Sequence, residues 1–324
     1  MRVVIGDRNL LPHRELLEGL VPAHTDLIWH EVFDEAAIIA DLATADVYVG
    51  GKFTAAMAAA SPRLQLVHVA GAGTDNIAFA SLDPRTKVAN TFHHEDSIAE
   101  YVLSTAIMLR RGFIAQDRAL RRGTWSTSVY DDALPQPLSM NGAHIGFVGF
   151  GHIGSKSWKL LRGLGCTGSA VTGSGTVDAA AVGLSWAADA AGLHRLMTES
   201  DIVVVSAPLN DHTRGMIGTT EFAALGSDGV LINVGRGPLV QQQALYDALQ
   251  RNIIRAAAIN VWYSYPGPDG DGDPGDLPFA DLPNLLMTPH SSGITRDTFV
   301  GRVRDIADNI RRLDRGLSLA RTVR

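Results

Sequence analysis

Gly146-Phe147-Val148-Gly149-Phe150-Gly151-His152-Ile153-Gly154 is the stretch whose reading decides the fold. It follows an apolar run and opens into a helical pattern. Gly149, Gly151 and Gly154 have the spacing G-x-G-x-x-G. Gly149 lets a strand turn sharply. Gly151 has no side chain to hold a pyrophosphate off the backbone, and Gly154 lets a helix lie close to the sheet. The helix N-terminus adds unpaired N–H groups and a partial positive charge. In a chain with 33 glycines the spacing alone is weak. The context strengthens it, because residues 143–148 read as a strand and 153–164 as a helix. The stretch therefore predicts a dinucleotide site.

Working outward, the 324 residues suggest two domains. Net charge is −6, which does not favour a nucleic-acid surface. The one cysteine, Cys166, excludes a disulfide framework within the chain and suits a reducing cytoplasm. The first residues lack the apolar core of a signal peptide, and no apolar run reaches membrane-spanning length, so no membrane partner is expected.

Short strands are predicted at 3–6, 27–32, 46–49 and 64–70, with helical segments such as 15–20 and 54–60 between them. This alternation predicts a parallel sheet covered on both faces, with ligands beyond the carboxyl ends of the strands. Gly71-Ala72-Gly73 lies at one such end, where its N–H groups could meet an anion or simply form a tight turn. A long helix is expected from Ser97 to about Arg122, with Ser97 and Glu100 as a capping box. The preceding Phe92-His93-His94-Glu95-Asp96 lacks the spacing of a zinc site, so no metal is expected. A histidine facing a substrate fits better.

Beyond Gly154, residues 169–172 read as the second strand of the nucleotide domain, ending in Thr172-Gly173-Ser174-Gly175-Thr176. An NAD site carries Asp or Glu near this point, for the ribose 2′-hydroxyl. None is present, and no arginine is present for a 2′-phosphate, so both NAD and NADP stay open. Further strands are expected at 201–207, 230–234, 256–262 and 285–288, with a helix at 241–249. A loop spans 266–278, and a last helix begins near Thr295.

Gly71-Ala72-Gly73-Thr74-Asp75-Asn76, the glycine-rich turn, Ala207-Pro208-Leu209, Asn233-Val234-Gly235-Arg236-Gly237 and Thr288-Pro289-His290 occur in this order. Together they resemble the D-2-hydroxyacid dehydrogenase family. Asn260-Val261-Trp262-Tyr263-Ser264-Tyr265-Pro266 and His290-Ser291-Ser292-Gly293 are similar to segments of its formate dehydrogenase branch. The resemblance implies two Rossmann-like or flavodoxin-like α/β lobes with parallel sheets and a cleft between them. Residues 1–97 with 293–324 would form the substrate domain, and 98–292 the dinucleotide-binding domain. A homodimer built through the nucleotide lobes is implied as well. So is a cofactor site of Gly149, Gly151, His152, Ile153, Gly154, Thr172, Ser174, Ala207, Pro208, Val234, Asn260, Ser292 and Gly293. The substrate would meet Ala72, Gly73 and His94.

The chemistry of the residues agrees. A carboxylate beside a carbonyl calls for a permanent cation with a bidentate fork, and Arg236 suits that. Interconverting hydroxyl and carbonyl moves a proton, and His290 titrates near neutrality. The family pairs this histidine with a glutamate, where this chain has Tyr265, and Asn260 stands in place of the usual Asp. Tyr265 could hydrogen-bond His290 but brings no charge. Asn260 could meet the nicotinamide amide through its own carbonyl. The leading expectation is an NAD(P)-dependent oxidoreductase acting on a small anionic 2-hydroxy or 2-oxo acid. Oxidation of formate or a small phosphonate is the alternative, and a corepressor-like NAD(H) sensor with little turnover is the third.

Overall fold

The computed structural model describes residues 1–267 and 269–324. The chain divides into two compact units, Met1–His94 with Ile294–Arg324, and Glu95–Gly293.

The first unit contains strands β1 (Arg2–Ile5), β2 (Asp26–Trp29), β3 (Val47–Val49), β4 (Leu66–His68) and β5 (Lys87–Ala89). They form one parallel sheet in the order β2-β1-β3-β4-β5. Successive residues of β1 feed opposite layers. Val3 and Ile5 join Phe299, Val303, Ile306 and Ile310 of the helix Arg296–Asp314, and Val4 joins Ile38, Leu42 and Met57. Period-two burial on both faces explains why the strand reads as a continuous apolar run. Thr295 caps the helix, its side chain accepting from the Thr298 N–H at 3.3 Å.

The second unit contains β6 (His144–Val148), β7 (Thr167–Val171), β8 (Trp186–Ala188), β9 (Ile202–Val205), β10 (Val230–Asn233), β11 (Ala256–Ile259) and β12 (Leu285–Met287). Their order is β12-β11-β10-β9-β6-β7-β8, all parallel. The chain winds outward from β6 in one direction to β8, then returns to β9 and continues to β12. That reversal between β6 and β9 is the topological switch point at which a doubly wound sheet opens a crevice. Ile202 and Val204 face one core layer, and Val203 and Val205 face the other.

The long helix expected from Ser97 to Arg122 is two helices, Glu95–Arg110 and Phe113–Leu120. Gly112 breaks it with φ +67°, a left-handed conformation that ends a right-handed helix. The first of them starts ahead of Ser97, so Ser97 sits inside the first turn instead of capping it. Ile98, Val102, Ala106 and Leu109 are buried in the second unit's core, as the helical spacing requires. Strands β5 and β8 were not singled out by the sequence reading. Each is three residues long at a sheet edge, β5 begins with an exposed lysine, and β8 is only half-buried.

His68 ends β4 with no exposure. Its Nδ1–H donates to the Val69 carbonyl at 3.2 Å, while Nε2 has no hydrogen-bond partner. Burial lowers its pKa from 6.5 to about 4, against the pull of Asp305 and with the push of Arg321. The folded protein therefore holds this imidazole neutral, and the unfolded chain binds its proton first. Stability from this site is complete above pH 6.5 and is lost as pH falls through 4. At about 1.4 kcal/mol per pH unit the loss is on the order of 3 kcal/mol. His68→Asn should flatten that acid limb in urea-unfolding midpoints measured from pH 7 to 4. A limb unchanged by the substitution would rule His68 out as its cause.

Candidate active site

The carboxyl ends of β6, β7 and β9 border a cavity of about 660 Å³ in the second unit, lined by Gly149, Gly151, Thr172, Ser174, Ala207 and Pro208 among others. The three fingerprint glycines differ in what surrounds them. Gly149 has φ +90°, and a Cβ there would lie 2.6 Å from the Ala207 nitrogen. At Gly154 a Cβ would lie 2.8 Å from the Gly149 carbonyl oxygen, so the helix His152–Arg162 touches the strand end that it leaves. At Gly151 a Cβ would meet nothing within 4 Å. The protein's own packing therefore demands glycine at 149 and 154. At 151 it leaves open space at a helix N-terminus, the kind of place that binds phosphate groups. His152 and Ile153 open that helix, and Val234 is buried beside it in the same core layer.

After β7, the Thr172 hydroxyl accepts from the Gly175 N–H at 3.0 Å, and the Ser174 and Thr176 hydroxyls lie 2.8 Å apart. The turn is held by its own hydroxyls, and its side chains carry no charge.

Arg236 follows β10. Asn233, 1% exposed at the strand end, accepts from the Gly235 N–H at 3.1 Å and donates to the Arg236 carbonyl at 3.1 Å. The Arg236 guanidinium donates to the Gly235 carbonyl at 2.9 Å. At Gly237 any side chain would collide with the Trp262 backbone, so the arginine is held between two tightly packed glycines.

His290 follows β12 in a left-handed conformation, φ +56°. A buried amide holds its turn. The Asn260 side chain accepts from the Ser292 N–H and the Thr288 hydroxyl, each at 3.1 Å, and donates to the Ser292 hydroxyl at 2.7 Å. Trp262 Nε1 donates to the Thr288 carbonyl at 2.9 Å, and the Tyr101 and Thr288 hydroxyls are 3.0 Å apart. Both lone pairs of the Asn260 carbonyl are thus engaged by the chain itself, next to Gly293. The surroundings withdraw water from the His290 imidazole, and the nearby Arg236 charge repels its proton. Both lower its pKa below the usual histidine value.

Tyr265 lies against His290 with ring centroids 5.6 Å apart and planes tilted by 47°. The two residues meet by ring contact, and the Tyr265 hydroxyl instead accepts from the Trp262 N–H at 3.3 Å. Arg236, His290 and Tyr265 are therefore gathered at one edge of the second unit's sheet. Sequence reading quoted Asn233, Trp262 and Thr288 within its motifs but gave them no role, and it did not single out Tyr101. Only Asn233 carried a signal, as an Asn ending an apolar strand just before Gly-Arg-Gly.

Ala72 and Gly73 belong to the first unit and follow β4. His94 closes that unit's first segment, its ring stacked near Phe92 at 6.3 Å.

The glycine geometry separates folding from cofactor binding. Gly151→Ala should keep the thermal midpoint while weakening NADH binding at least tenfold, about 1.4 kcal/mol. Gly149→Ala should lose about 1–3 kcal/mol of stability from backbone conformation alone. Calorimetric melting and fluorescence titration with NADH check both, and unchanged NADH binding in Gly151→Ala would contradict the pyrophosphate assignment.

Comparison with known proteins agrees with this architecture. Residues 103–292, more than half of the chain, match the D-isomer specific 2-hydroxyacid dehydrogenase NAD-binding domain. A glycerate dehydrogenase of Methylorubrum extorquens is 29% identical over 255 residues, covering 77% of this chain and 76% of that one. A glyoxylate/hydroxypyruvate reductase B of Serratia proteamaculans is 28% identical, covering 90% and 85%. The solved 2-hydroxyacid dehydrogenase of Ketogulonicigenium vulgare has the same fold, with a TM-score of 0.81 at 24% identity over 100% of this chain and 98% of that one. The chain belongs to the D-isomer specific 2-hydroxyacid dehydrogenase family, and its second unit contains the NAD-binding domain of that family.

Proposed function

We propose that this NAD(P)-dependent oxidoreductase interconverts a small 2-hydroxy acid and its 2-oxo acid. The observation that carries the reading is that the Arg236 charge acts on His290 at the carboxyl edge of the second unit's sheet, the edge on which the nucleotide cavity opens. The relatives named above as acting on glycerate, glyoxylate and hydroxypyruvate support substrates of that size. The bound nicotinamide supplies or takes the hydride. Arg236 grips the carboxylate and polarises the carbonyl, because its fork meets two oxygens at once. His290 takes the hydroxyl proton during oxidation and returns it during reduction. In the first unit, the Ala72 and Gly73 N–H groups bind the substrate's carboxylate, and His94 lines the site. Gly149, Gly151, His152, Ile153, Gly154, Thr172, Ser174, Ala207, Pro208, Val234, Ser292 and Gly293 hold the cofactor. Asn260 supports that set through Ser292.

One observation favours a second reading. Tyr265 stands against His290 where the family places a carboxylate, and its phenol brings no negative charge to stabilise an imidazolium. Formate oxidation needs no proton transfer from a histidine and suits such a site. The pH dependence decides between them. Tyr265→Glu puts a negative charge beside His290 and should raise its pKa. Reduction, which needs the imidazolium, should then extend to higher pH. Oxidation, which needs the free base, should have its rising limb moved upward. Profiles of kcat/KM in both directions, for glyoxylate, hydroxypyruvate and formate, check this. Turnover of formate alone, with no histidine-linked limb, would replace the hydroxyacid reading.

We also propose a homodimer. The second unit exposes Trp125, Val129, Tyr130 and Leu138 within one short segment, with Val129 at 79% and Tyr130 at 70%. Clustered apolar side chains of this kind mark association surfaces. Sedimentation velocity should show a dimer that Trp125→Glu with Val129→Glu converts to monomer. A monomeric parent protein would refute this reading.

A further inference from the structure

The Gly71-Ala72-Gly73 turn is held from one side by the residues that follow β5. The Thr91 N–H donates to the Gly71 carbonyl at 3.1 Å. The Asn90 side chain, in a residue 7% exposed, donates from Nδ2 to the Ala72 carbonyl at 3.0 Å. All peptide bonds among the described residues are trans. In a planar trans peptide the C=O and the following N–H point in opposite directions. Drawing the Gly71 carbonyl toward β5 therefore turns the Ala72 N–H away from it, and drawing the Ala72 carbonyl inward does the same for the Gly73 N–H. Two neighbouring donors are aimed outward by two acceptors held inward.

Asn90 is itself fixed. Its backbone N–H donates to the Arg321 carbonyl at 3.2 Å. Asp305 holds the next residues, accepting from the Thr91 hydroxyl at 2.6 Å and lying 2.9 Å from His93 Nε2. Of the two carbonyl anchors, only the one from Asn90 is made by a side chain, so it alone can be removed by substitution without breaking the backbone.

We propose that Asn90 is a positioning residue that aims the Gly73 N–H at the substrate carboxylate. This rests on the reading that the glycine turn takes the anion. Asn90→Asp tests it most directly. The shape is kept, but a donor becomes a charged acceptor facing the Ala72 carbonyl, which it repels. With saturating NADH, the KM for glyoxylate should rise about tenfold, the worth of one hydrogen bond to a charged group. The inhibition constant for oxalate should rise by the same factor. In contrast, kcat should stay within about threefold, and the KM for NADH should not change. Asn90→Ser, which keeps a shorter donor, should show a smaller rise in the same two constants and serves if the Asp variant does not fold.

Substrate KM and oxalate inhibition within about twofold of the parent, in whichever variant folds, would overturn the proposal. A joint fall in kcat and NADH affinity would overturn it too, as the mark of a merely structural role. Arg236→Lys, measured alongside, separates the two levels of argument. If it weakens oxalate while the Asn90 variants do not, the positioning role fails together with the glycine turn's part in binding, and the Arg236 reading stands. If neither weakens oxalate, the anion-site reading fails and the proposal with it.

Discussion

The second unit depends on one contact between backbones. The turn leaving β6 at Gly149 lies so close to Ala207, just past β9, that no Cβ fits between them. These are the strands on either side of the switch point, and their closeness sets the floor of the crevice. The Ser206 hydroxyl donates to the Gly149 carbonyl at 2.9 Å, which fixes the same junction with a directional bond. Gly154 then brings the helix down onto that carbonyl. Strand end, neighbouring strand and helix N-terminus are thereby packed at van der Waals distance. The open space above Gly151 exists because everything beneath it is filled.

The chemical groups follow from topology in a similar way. In a parallel sheet every carboxyl end lies at one edge, so residues after β10, β11 and β12 become neighbours despite long sequence separations. Arg236, Asn260 and His290 each follow one of these three strands. Burial and then the charge of Arg236 oppose protonation of the histidine, and the uncharged Tyr265 ring beside it does not offset them. Burial, the Arg236 charge and the Tyr265 ring thus act together on His290, with the amide of Asn260 shaping its loop.

The glycine spacing, the apolar strands and the order of motifs were legible because each is local. A strand buried on both faces advertises itself as an unbroken apolar run, and the fingerprint has fixed spacing. What the sequence reading missed is what the fold assembles from distant parts. Asn233 bonds within three residues and could be suspected, whereas Tyr101 meets Thr288 across 187 positions. Tyr265 shows the boundary well. The family resemblance marked it as a neighbour of His290, and the rings do touch. A phenol places its oxygen farther from the backbone than a carboxylate does, and here that oxygen reaches the Trp262 N–H instead. Gly112 was visible in the sequence, yet helical periodicity on both sides concealed that it divides two helices.

The left-handed backbone of His290 has a consequence for turnover. A non-glycine residue in that region is held at a cost of about 1–3 kcal/mol, and it persists only where its surroundings over-determine it. Here the surroundings are the Asn260 amide, the Trp262 indole and the Thr288 hydroxyl. That cost is met once, when the chain folds. In the role proposed for His290, the residue then starts each cycle with its backbone already placed, and little of the activation entropy is spent in arranging that turn.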